Sequence, residues 1–584
     1  MAENPSIRET LERGEEETYK GLEAPPSMAA AGAGAERERR RKVAYGGRGG
    51  GGGGVGDYAV GVGVGVGVVV AEDPPARIEL VGWYAYAVCS FFVLAVLVPV
   101  LFPLIIAQIA SSSDSPSTTA TTTMRGVSCS AKEMALYQRL VKHSIDVGGS
   151  RFSALHWTVI SWAAGVIAVA PLLPQVAHQL DRGHHQSLLL IAAITFGAFF
   201  CLLTGFFKTA WLFPFYIIFI VSAITVSDSA HSRYLALMLR GLTASSSGRH
   251  LSLRRRAAGG QLSLYSTAAG SLGAAVIAAF VYHMLRRSDQ LTGLWVVSIF
   301  SGLIWFIAIC HGLFSNRPAS SISSSPSPSS PPSLAHNMFD KVSHALAVFS
   351  YPHAVGSLAA VFLSSFSTMC IFTAGILYII GGLCIKPVMI LSFLIIYFAF
   401  PVLSLPGIHA LQLLLRTDAV RMQLLGFLLC AFVSGAGFYF KDRRWRAAHV
   451  ILVGLVQSTA AGALHAFGRV LLLDCAPPGK EGAFAAWLAW ARAAGAGVGF
   501  AVGSASPGRI GAAFGAAFLA SLLGGLVLVF GSVSDEGALV AAGHVRKEEL
   551  EYERKMVGEE GMSGIGLSSN SGEDREGYIG RVRV

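Results

Sequence analysis

The hydrophobic pattern of the chain consists of twelve apolar segments separated by polar stretches. Most of them reach the ~20 residues that a helix needs to cross the bilayer core. Helices are predicted, because barrel strands would be ~10 residues long with alternating polar positions. The predicted helices are Leu80–Ala107, Leu155–Val176, Ser187–Phe207, Trp211–Val226, Leu262–Leu285, Leu291–Phe314, Val355–Leu383, Val388–Leu405, Met422–Phe440, Ala447–Phe467, Ala483–Gly503 and Ile510–Val533.

A Ser/Pro-rich linker, residues 315–343, divides these segments six and six. Many transporters consist of two six-helix halves around a site at the membrane midplane. The predicted fold class is therefore an all-α membrane protein with twelve transmembrane helices in two six-helix bundles, at residues 80–314 and 344–533. No obvious sequence repeat relates the halves, so their symmetry is expected from the helix count alone.

The two tails are not expected to fold as domains. Residues 1–76 hold charged runs, a glycine block and a Gly-Val alternation that leaves no packing face, so this tail is predicted to be disordered. Residues 534–584 are predicted to form a charged, solvated and partly disordered tail. Neither a signal peptide nor a transit peptide fits the N-terminus, so the first membrane helix is expected to act as the targeting signal. Loop lysines and arginines are balanced between the two sides, which leaves the orientation open.

Composition narrows the function classes. The chain is 53% hydrophobic and only 14% charged, against ~25% charged residues in soluble proteins. The net charge of +10 is spread over loops and tails, so no nucleic-acid partner is expected. The eight cysteines form no Cys-x-x-Cys or Cys/His cluster, so no metal or other cofactor is expected. No intramembrane nucleophile, acid/base pair or metal set indicates an enzyme. The expected partners are a small-molecule solute and the lipid bilayer, with the chain acting as a monomer.

The strongest candidate for solute binding is Arg492, the only charge in Ala483–Gly503 and close to its midpoint. An arginine at that depth costs at least ~2.5–3.5 kcal/mol, so it is expected to face a protein-lined cavity. Its guanidinium offers a two-pronged donor for a carboxylate or a phosphate. The carboxylate of an amino acid would satisfy it. The alternative is that Arg492 pairs with backbone carbonyls, or reaches the membrane surface.

Few other polar groups lie at mid-depth. Candidates for the cavity wall are Gln457 in the tenth helix, a face of the first helix at i, i+3 and i+7 spacing, and a cluster in the seventh, with hydrogen bonding between helices as the alternative. The face is Trp83, Tyr86 and Ser90, and the cluster is Ser364, Ser365, Ser367 and Thr368. No Asp or Glu lies deep in a predicted helix, since Asp228 and Asp474 fall at helix ends. The pattern therefore favours facilitated efflux, or coupling through a histidine such as His156 or His465.

The turn after the second helix, AHQLDRGHH, contains Asp181, Arg182 and Gly183. It resembles the Asp-Arg-x-Gly-Arg-Arg loop of the major facilitator superfamily. The resemblance implies that Asp181 and Arg182 pair with neighbouring helix ends and latch an outward-open state. Histidines 184 and 185 stand in the basic positions, which implies a weaker or pH-dependent latch.

Two further segments resemble the autophagy-linked vacuolar amino-acid effluxer family, a branch of that superfamily. One is GRVLLLDCAPPGKEGAF, in which Arg469, Lys480 and Glu481 match the family and are expected to belong to a gating loop. The other is GWYAYAVCSFF, in which Trp83 and Tyr86 match but an alanine replaces the family's Asp. Arg492 also lies within one residue of a lysine in the family's pattern.

This resemblance implies a divergent member of the family that exports amino acids across a vacuolar membrane by alternating access. Two alternatives stay open. One is a carrier of another anion, such as phosphate or an organic acid, which Arg492 would serve equally. The other is a transport-inactive membrane scaffold or sensor, which the missing Asp and the altered Asp-Arg loop favour.

Overall fold

The computed structural model describes residues 73–112 and 137–551, apart from short gaps at 144, 148, 208, 245–250, 288–292, 316, 318–333, 384–386, 442–444, 506, 508–509, 546 and 548–550. In these ranges lie twelve helices that are long and apolar enough to cross a membrane. Numbered first to twelfth, they are Arg77–Ala110, Ala154–Arg182, Gln186–Phe206, Ala210–Thr243, Ser252–Met284, Leu294–Phe314, Pro352–Gly381, Met389–Leu414, Ala419–Tyr439, Ala448–Asp474, Glu481–Ala505 and Ile510–Phe530.

The helices form two bundles of six with the same internal packing. In the first bundle the first helix packs on the fifth and sixth, the third on the fourth and sixth, and the second on the fourth. Adding six to each number gives the corresponding pairs of the second bundle, all of which are present. The predicted fold class is therefore confirmed, and the halves repeat in structure although their sequences show no obvious repeat.

Among the described residues, the bundles contact each other mainly through the fifth and eleventh helices. The fifth helix packs on the eighth and tenth helices, and the eleventh packs on the second and fourth. Along the second and eleventh helices, Trp162 Nε1 donates to the Ala493 carbonyl at 3.1 Å, and Trp490 Nε1 donates to the Val166 carbonyl at 3.1 Å. With an even number of crossings, the first helix begins and the twelfth ends on the same side, which we call the terminal side.

Four helices extend at least seven residues further toward the terminal side than predicted. The fourth continues to Ala244, the eighth to Leu414 and the tenth to Asp474, and the fifth already begins at Leu251. Their polar side chains are largely covered by neighbouring helices, as Arg233 by Gln186 of the same bundle and Asp474 by Arg255 of the opposite one, so hydropathy alone ended these helices too early. Asp228 and Arg469 consequently lie inside helices, and the expectation that acidic groups occur only at helix ends was wrong for Asp228.

The first helix is interrupted beside the membrane centre. It consists of Arg77–Ser90, a π-helical stretch Val93–Leu101 and a further α-helix Phe102–Ser112. Pro99 lies in the π-helical stretch. A proline cannot donate to the helical ladder, and π-helical turns occur often at functional sites.

Two short helices and a hairpin lie outside the membrane helices. The linker helix, Leu334–Leu346, precedes the seventh membrane helix, and the C-terminal helix, Asp535–Ala541, follows the twelfth. Strands β1 (Ile145–Val147) and β2 (Ser150–Phe152) pair antiparallel before the second helix. Most of the predicted linker, and the predicted tails at residues 1–72 and 552–584, lie outside the described residues.

Glycines set the distance between the first and fifth helices. A Cβ atom built on Gly273 would lie 1.9 Å from the Val88 carbonyl oxygen, whereas one on Gly375 would meet nothing within 4 Å. Gly273→Val must therefore push two packed helices apart, an overpacking that typically costs ~1–3 kcal/mol. We expect the purified Gly273→Val protein to unfold at a lower temperature than wild type in detergent. Gly375→Val is the matched control, and equal unfolding temperatures for the two variants would contradict the packing argument.

Candidate functional site

A central cavity lies between the two bundles, with about 1180 Å³ of empty space including its mouth. Helices from both bundles line it: the first, fourth and fifth from one half, and the seventh, eighth, tenth and eleventh from the other. Its charged and histidine side chains are Asp228, His231, His465, Arg469 and Arg492. Apolar and aromatic side chains form much of the remaining wall, including Phe91, Leu94, Met369, Phe372, Tyr397 and Phe398.

Arg492 lines this cavity from the middle of the eleventh helix and is 8% exposed. Its Nη2 donates to the His465 carbonyl oxygen at 2.8 Å. The two interpretations of Arg492, that it faces a cavity or that it pairs with backbone carbonyls, therefore both apply in part. The guanidinium bonds one backbone carbonyl and also borders the cavity. Within the part of the chain that the structure describes, no carboxylate oxygen lies within 4.0 Å of it.

Arg469 is a second cavity arginine, 5% exposed. It was predicted in a gating loop, but it lies inside the tenth helix, because that helix continues to Asp474. Its Nη2 lies 3.0 Å from His465 Nε2, and its Nη1 is 3.5 Å from Ser266 Oγ. Among described residues it too has no carboxylate oxygen within 4.0 Å. His465 thus accepts a hydrogen bond from a guanidinium, which requires an unprotonated nitrogen at that position.

Asp228 is the carboxylate of the cavity wall. It lies inside the fourth helix, and its Oδ1 is 2.9 Å from the Tyr86 hydroxyl. Both cavity arginines act on it electrostatically. The cavity therefore carries two guanidiniums against one carboxylate, and this excess of positive charge favours an anionic group in the solute.

Of the other residues predicted to line the cavity, some do so and others lie elsewhere. Tyr86 and Ser90 line the cavity, as do Ser364, Ser365 and Thr368. Trp83 is fully buried one helical turn away, where its Nε1 donates to the His231 carbonyl at 3.2 Å and its ring stacks on the His231 ring. Gln457 faces a separate, largely apolar pocket within the second bundle and contacts Cys430 Sγ at 3.7 Å. Ser367 bonds Ser521 across two helices, the alternative that its sequence left open.

On the terminal side, Asp181 joins the two bundles. Its carboxylate accepts from the Gly482 and Ala483 backbone amides at 2.5 and 3.0 Å, at the start of the eleventh helix. The residue before that helix, Lys480, cannot cap it, so an aspartate from the other bundle takes this place. His344 of the linker helix lies 2.9 Å from the same carboxylate.

On the same side, three arginines of the first bundle pair with acids of the second bundle or of the helix after it, among the described residues. Arg240 pairs with Glu481 at 2.5 Å, Arg255 with Asp474 at 2.9 Å, and Arg256 with Asp535 at 2.5 Å. Each arginine belongs to the first bundle and each acid to the second bundle or the helix that follows it. The terminal side is therefore closed by charge pairs that must separate if the bundles part there.

The other residues predicted in the gating loops are Arg182, Gly183 and Lys480, and they form fewer polar contacts. Arg182 is exposed, and Gly183 ends the second helix, where its amide donates to the Gln179 carbonyl at 3.0 Å. The Lys480 ammonium lies 5.6 Å from the centre of the Tyr351 ring. Beside it, Gly479 has a φ of 84°, a conformation that residues with a Cβ rarely adopt.

The start of the C-terminal tail is packed, in contrast to the predicted solvated tail. Asp535, Leu539 and Val545 are buried, and His544 Nε2 lies 2.9 Å from the Ala476 carbonyl oxygen. Burial and the neighbouring Asp474 raise the pKa of Asp535 to about 7, against the opposing effect of Arg256. Ala538 and Leu539 of this short helix are buried, so the helix is packed although it carries charged residues.

Comparisons with known proteins add a structural neighbour. No family model matches the chain, and no curated protein matches it. A solved structure similar to it is that of the human organic anion transporter MFSD10 (TETRAN), with a TM-score of 0.48 and 14% sequence identity. The similarity covers 78% of this chain and 100% of that one.

Sequence reasoning missed the roles of Asp228, His231 and Arg469 in the cavity wall. A signal was present, because apolar runs resume after each of these positions, as YLALML after Asp228 and VLLL after Arg469. Helices that continue past a buried charge indicate a protein-lined interior and not a helix end.

Proposed function

We propose that this chain is a membrane carrier that moves a small carboxylate-bearing solute by alternating access, with amino acids as the leading substrate. The observation that carries the proposal is the pair of buried arginines, Arg469 and Arg492, in a cavity between two six-helix bundles. Each guanidinium has donors left for a carboxylate that enters the cavity, and such charge-assisted bonds are among the stronger polar contacts.

An amino acid fits the charges of the wall. Its carboxylate would bind Arg492 and Arg469, and its ammonium would lie toward Asp228. The apolar wall around Phe372 and Tyr397 would accept the side chain. The resemblance at Trp83, Tyr86 and residues 469–484 supports the same substrate, and a vacuolar membrane with a role in autophagy belongs to this proposal.

The second candidate is an organic anion without an amine. The excess of two guanidiniums over one carboxylate favours it, because such an anion would balance the cavity charge without needing Asp228.

Alternating access is supported by the terminal-side contacts. The Asp181 cap and the three ion pairs fasten one end of the cavity, and they are polar contacts of the kind that can break and reform as bundles rock. A transport-inactive scaffold would have no need of cavity arginines that, among the described residues, have no carboxylate oxygen within 4.0 Å, which is the reason for placing it third.

The test is exchange across liposomes that contain the purified full chain. Liposomes loaded with unlabelled leucine are expected to take up labelled leucine, and protein-free liposomes are not. Benzoate and inorganic phosphate, tested in the same way, separate amino acids from other anions. If the protein exchanges none of the three, the carrier proposal is wrong for these solute classes.

The scaffold alternative is tested by a truncation that removes the tails but keeps the packed residues that follow the twelfth helix. Because His544 contacts the Ala476 carbonyl and Val545 is buried, the C-terminal cut belongs after residue 551. A carrier that lacks residues 1–72 and 552–584 is expected to keep leucine exchange. Loss of exchange with intact folding would instead assign the function to the tails.

A further inference from the structure

A second pocket lies inside the second bundle, with about 680 Å³ of empty space including its mouth. The seventh, eighth, ninth, tenth and twelfth helices surround it, together with residues 441 and 445 between the ninth and tenth. We call it the second-bundle pocket. It lies toward the side opposite the terminal side, because the ninth helix ends and the tenth begins there. The solute site described above does not use this space.

The wall of the second-bundle pocket is mainly apolar, formed by aliphatic and aromatic side chains and three glycines. A Cβ atom built on one of these glycines, Gly375, would meet nothing within 4 Å, so open space lies beside the seventh helix. Gln457 is only 2% exposed, and its amide lies against Cys430 Sγ at 3.7 Å. Water does not fill a space with so few polar partners, and unfilled apolar space costs free energy. The pocket therefore suits an apolar occupant.

The mouth of the pocket carries a positive charge. Lys441 is the one exposed residue among the described residues that line the pocket, and its ammonium is 5.4 Å from the centre of the Phe438 ring. Trp445 lines the pocket too, and its Nε1 donates to the Phe440 carbonyl at 3.0 Å. Tyr439, at the end of the ninth helix, is 79% exposed. Trp and Tyr are enriched where a membrane protein crosses the membrane surface, so the mouth lies at that level.

An occupant with an apolar chain and one negative charge matches both features. Pockets of this size with apolar walls and few polar groups are typical of small-molecule sites. Enclosure by five helices favours a single chain over the two chains of a phospholipid. We propose that the second-bundle pocket binds a long-chain fatty acid, with its carboxylate at Lys441 and its hydrocarbon chain beside Gly375.

The second-bundle pocket and the central cavity share two aromatic residues of their walls. Phe372 and Tyr397 line both, with ring centroids 5.3 Å apart. Phe372 also lines a third, apolar space that reaches Ile380, near the end of the seventh helix opposite the terminal side. Because the terminal side is closed, a solute leaves the central cavity past Phe372. A fatty acid behind the two rings keeps them from moving aside, so it is expected to slow solute exchange, a consequence that rests on the proposed function.

Binding is measured with the full chain in nanodiscs of phosphatidylcholine, using palmitate with a photoreactive diazirine in its chain. After illumination, peptide mass spectrometry is expected to find adducts on the pocket residues of the seventh, eighth and tenth helices. Excess unmodified palmitate is expected to prevent them. Adducts spread over lipid-facing residues of both bundles, unchanged by unmodified palmitate, would overturn the proposal. Phosphatidylglycerol that competes as well as palmitate would overturn it in favour of a phospholipid.

Gly375→Phe is the variant that fills the pocket. Its ring takes space that is open in the wild type, and photolabelling is expected to fall at least ~10-fold, the loss that follows when even two methylene groups of the chain lose their contacts. Gly407→Phe is the matched control. A Cβ atom on Gly407 also meets nothing within 4 Å, but Gly407 is exposed on the eighth helix and does not line the pocket. Equal labelling of the two variants would exclude the pocket as the site.

Lys441→Gln tests the charge at the mouth. Exposed ion pairs are weak, so labelling by palmitate is expected to fall ~2- to 5-fold, while labelling by the photoreactive alcohol of the same chain length stays unchanged. Lys547→Gln is the control, because Lys547 is exposed on the terminal side. If Lys441→Gln and Lys547→Gln are labelled equally by palmitate, Lys441 does not hold the carboxylate and the proposed orientation is wrong.

A fatty acid that binds as a transported anion would instead lie at the cavity arginines. Adducts on residues that line only the central cavity, lost in Arg492→Gln, would overturn the second-bundle site.

The effect on the carrier is measured as leucine exchange in liposomes. Palmitate is expected to slow exchange by the wild type and by Gly407→Phe, and to leave the rate of Gly375→Phe unchanged. Equal slowing of all three proteins would show that palmitate acts through the membrane and not through the pocket. If the wild type exchanges no leucine without palmitate, the proposed function fails, whereas the adducts decide the fatty-acid site by themselves.

Discussion

Replacing Arg492 with glutamine is expected to abolish measurable leucine exchange. Glutamine keeps a donor for the His465 carbonyl but loses the charge and the two-pronged donor that would hold a carboxylate in the cavity. Truncating one partner of a buried charge pair costs ~2–5 kcal/mol, which corresponds to a loss of affinity of at least ~30-fold. Exchange is measured over a range of leucine concentrations, so that a weaker affinity is separated from a slower carrier.

Two further variants make this result specific. Arg492→Lys keeps the charge as a single ammonium and is expected to fall between wild type and Arg492→Gln. Arg421→Gln is the control, because Arg421 is 73% exposed and pairs only weakly with Asp418 in the same bundle. Its exchange is expected to equal that of wild type. If Arg492→Gln also exchanges leucine like wild type while it folds normally, then Arg492 does not bind the solute.

Asp181→Asn is expected to open the terminal side. The wild-type carboxylate accepts from two backbone amides at the start of the eleventh helix and lies against His344. Asparagine loses the charge and turns one acceptor into an NH₂ group that faces an amide donor. Hydrogen bonds to charged groups contribute ~1.5–3 kcal/mol, so the ratio of closed to open molecules is expected to fall ~10- to 100-fold.

The opening is measured as a distance between the bundles. Spin labels at His184→Cys and Leu415→Cys lie at exposed positions on the terminal side of the first and second bundles, with the native cysteines replaced. Asp181→Asn is expected to move the distance distribution to longer values. Asp418→Asn is the matched control, because Asp418 caps the ninth helix within one bundle by accepting from Arg421 N at 3.0 Å. An unchanged distribution in Asp181→Asn would show that Asp181 does not hold the bundles together.

The structure also shows which histidine lies beside Asp181. The sequence pointed to His184 and His185 as the source of pH dependence in this loop, but both are exposed. The histidine that contacts the carboxylate, His344, comes from the linker helix, more than 150 residues further along the chain. A contact between residues so far apart in sequence has no local signal, since it depends on how the linker crosses the bundle ends.

Hydropathy and length sufficed for the fold class and for the position of Arg492. A segment of ~20 apolar residues must become a helix in lipid, because no other structure satisfies its backbone there. A lone arginine in its middle must find polar surroundings. Both conclusions depend on properties of the segment itself, and so they need no knowledge of its neighbours.

Where the helices end, and which residues contact Arg492, depends on the packing of each helix against other helices. The fourth and tenth helices continue past Asp228 and Arg469 because other helices cover their polar residues, with Tyr86 of the same bundle at Asp228 and Ser266 of the opposite bundle at Arg469. This cover exists only once the helices are assembled. Gln457 shows the converse, since its central position in the tenth helix did not decide which side of that helix meets the cavity.

The sequence by itself determined that this protein crosses the membrane twelve times in two sets of six, because solvation by lipid acts on each segment separately. Only the tertiary structure decided that Asp228, Arg469 and Arg492 share one cavity, and that Asp181 caps a helix of the other bundle. The contacts of Asp228 and Asp181 with the second bundle join residues more than two hundred positions apart. They follow from how the two bundles pack against each other, which no single segment encodes.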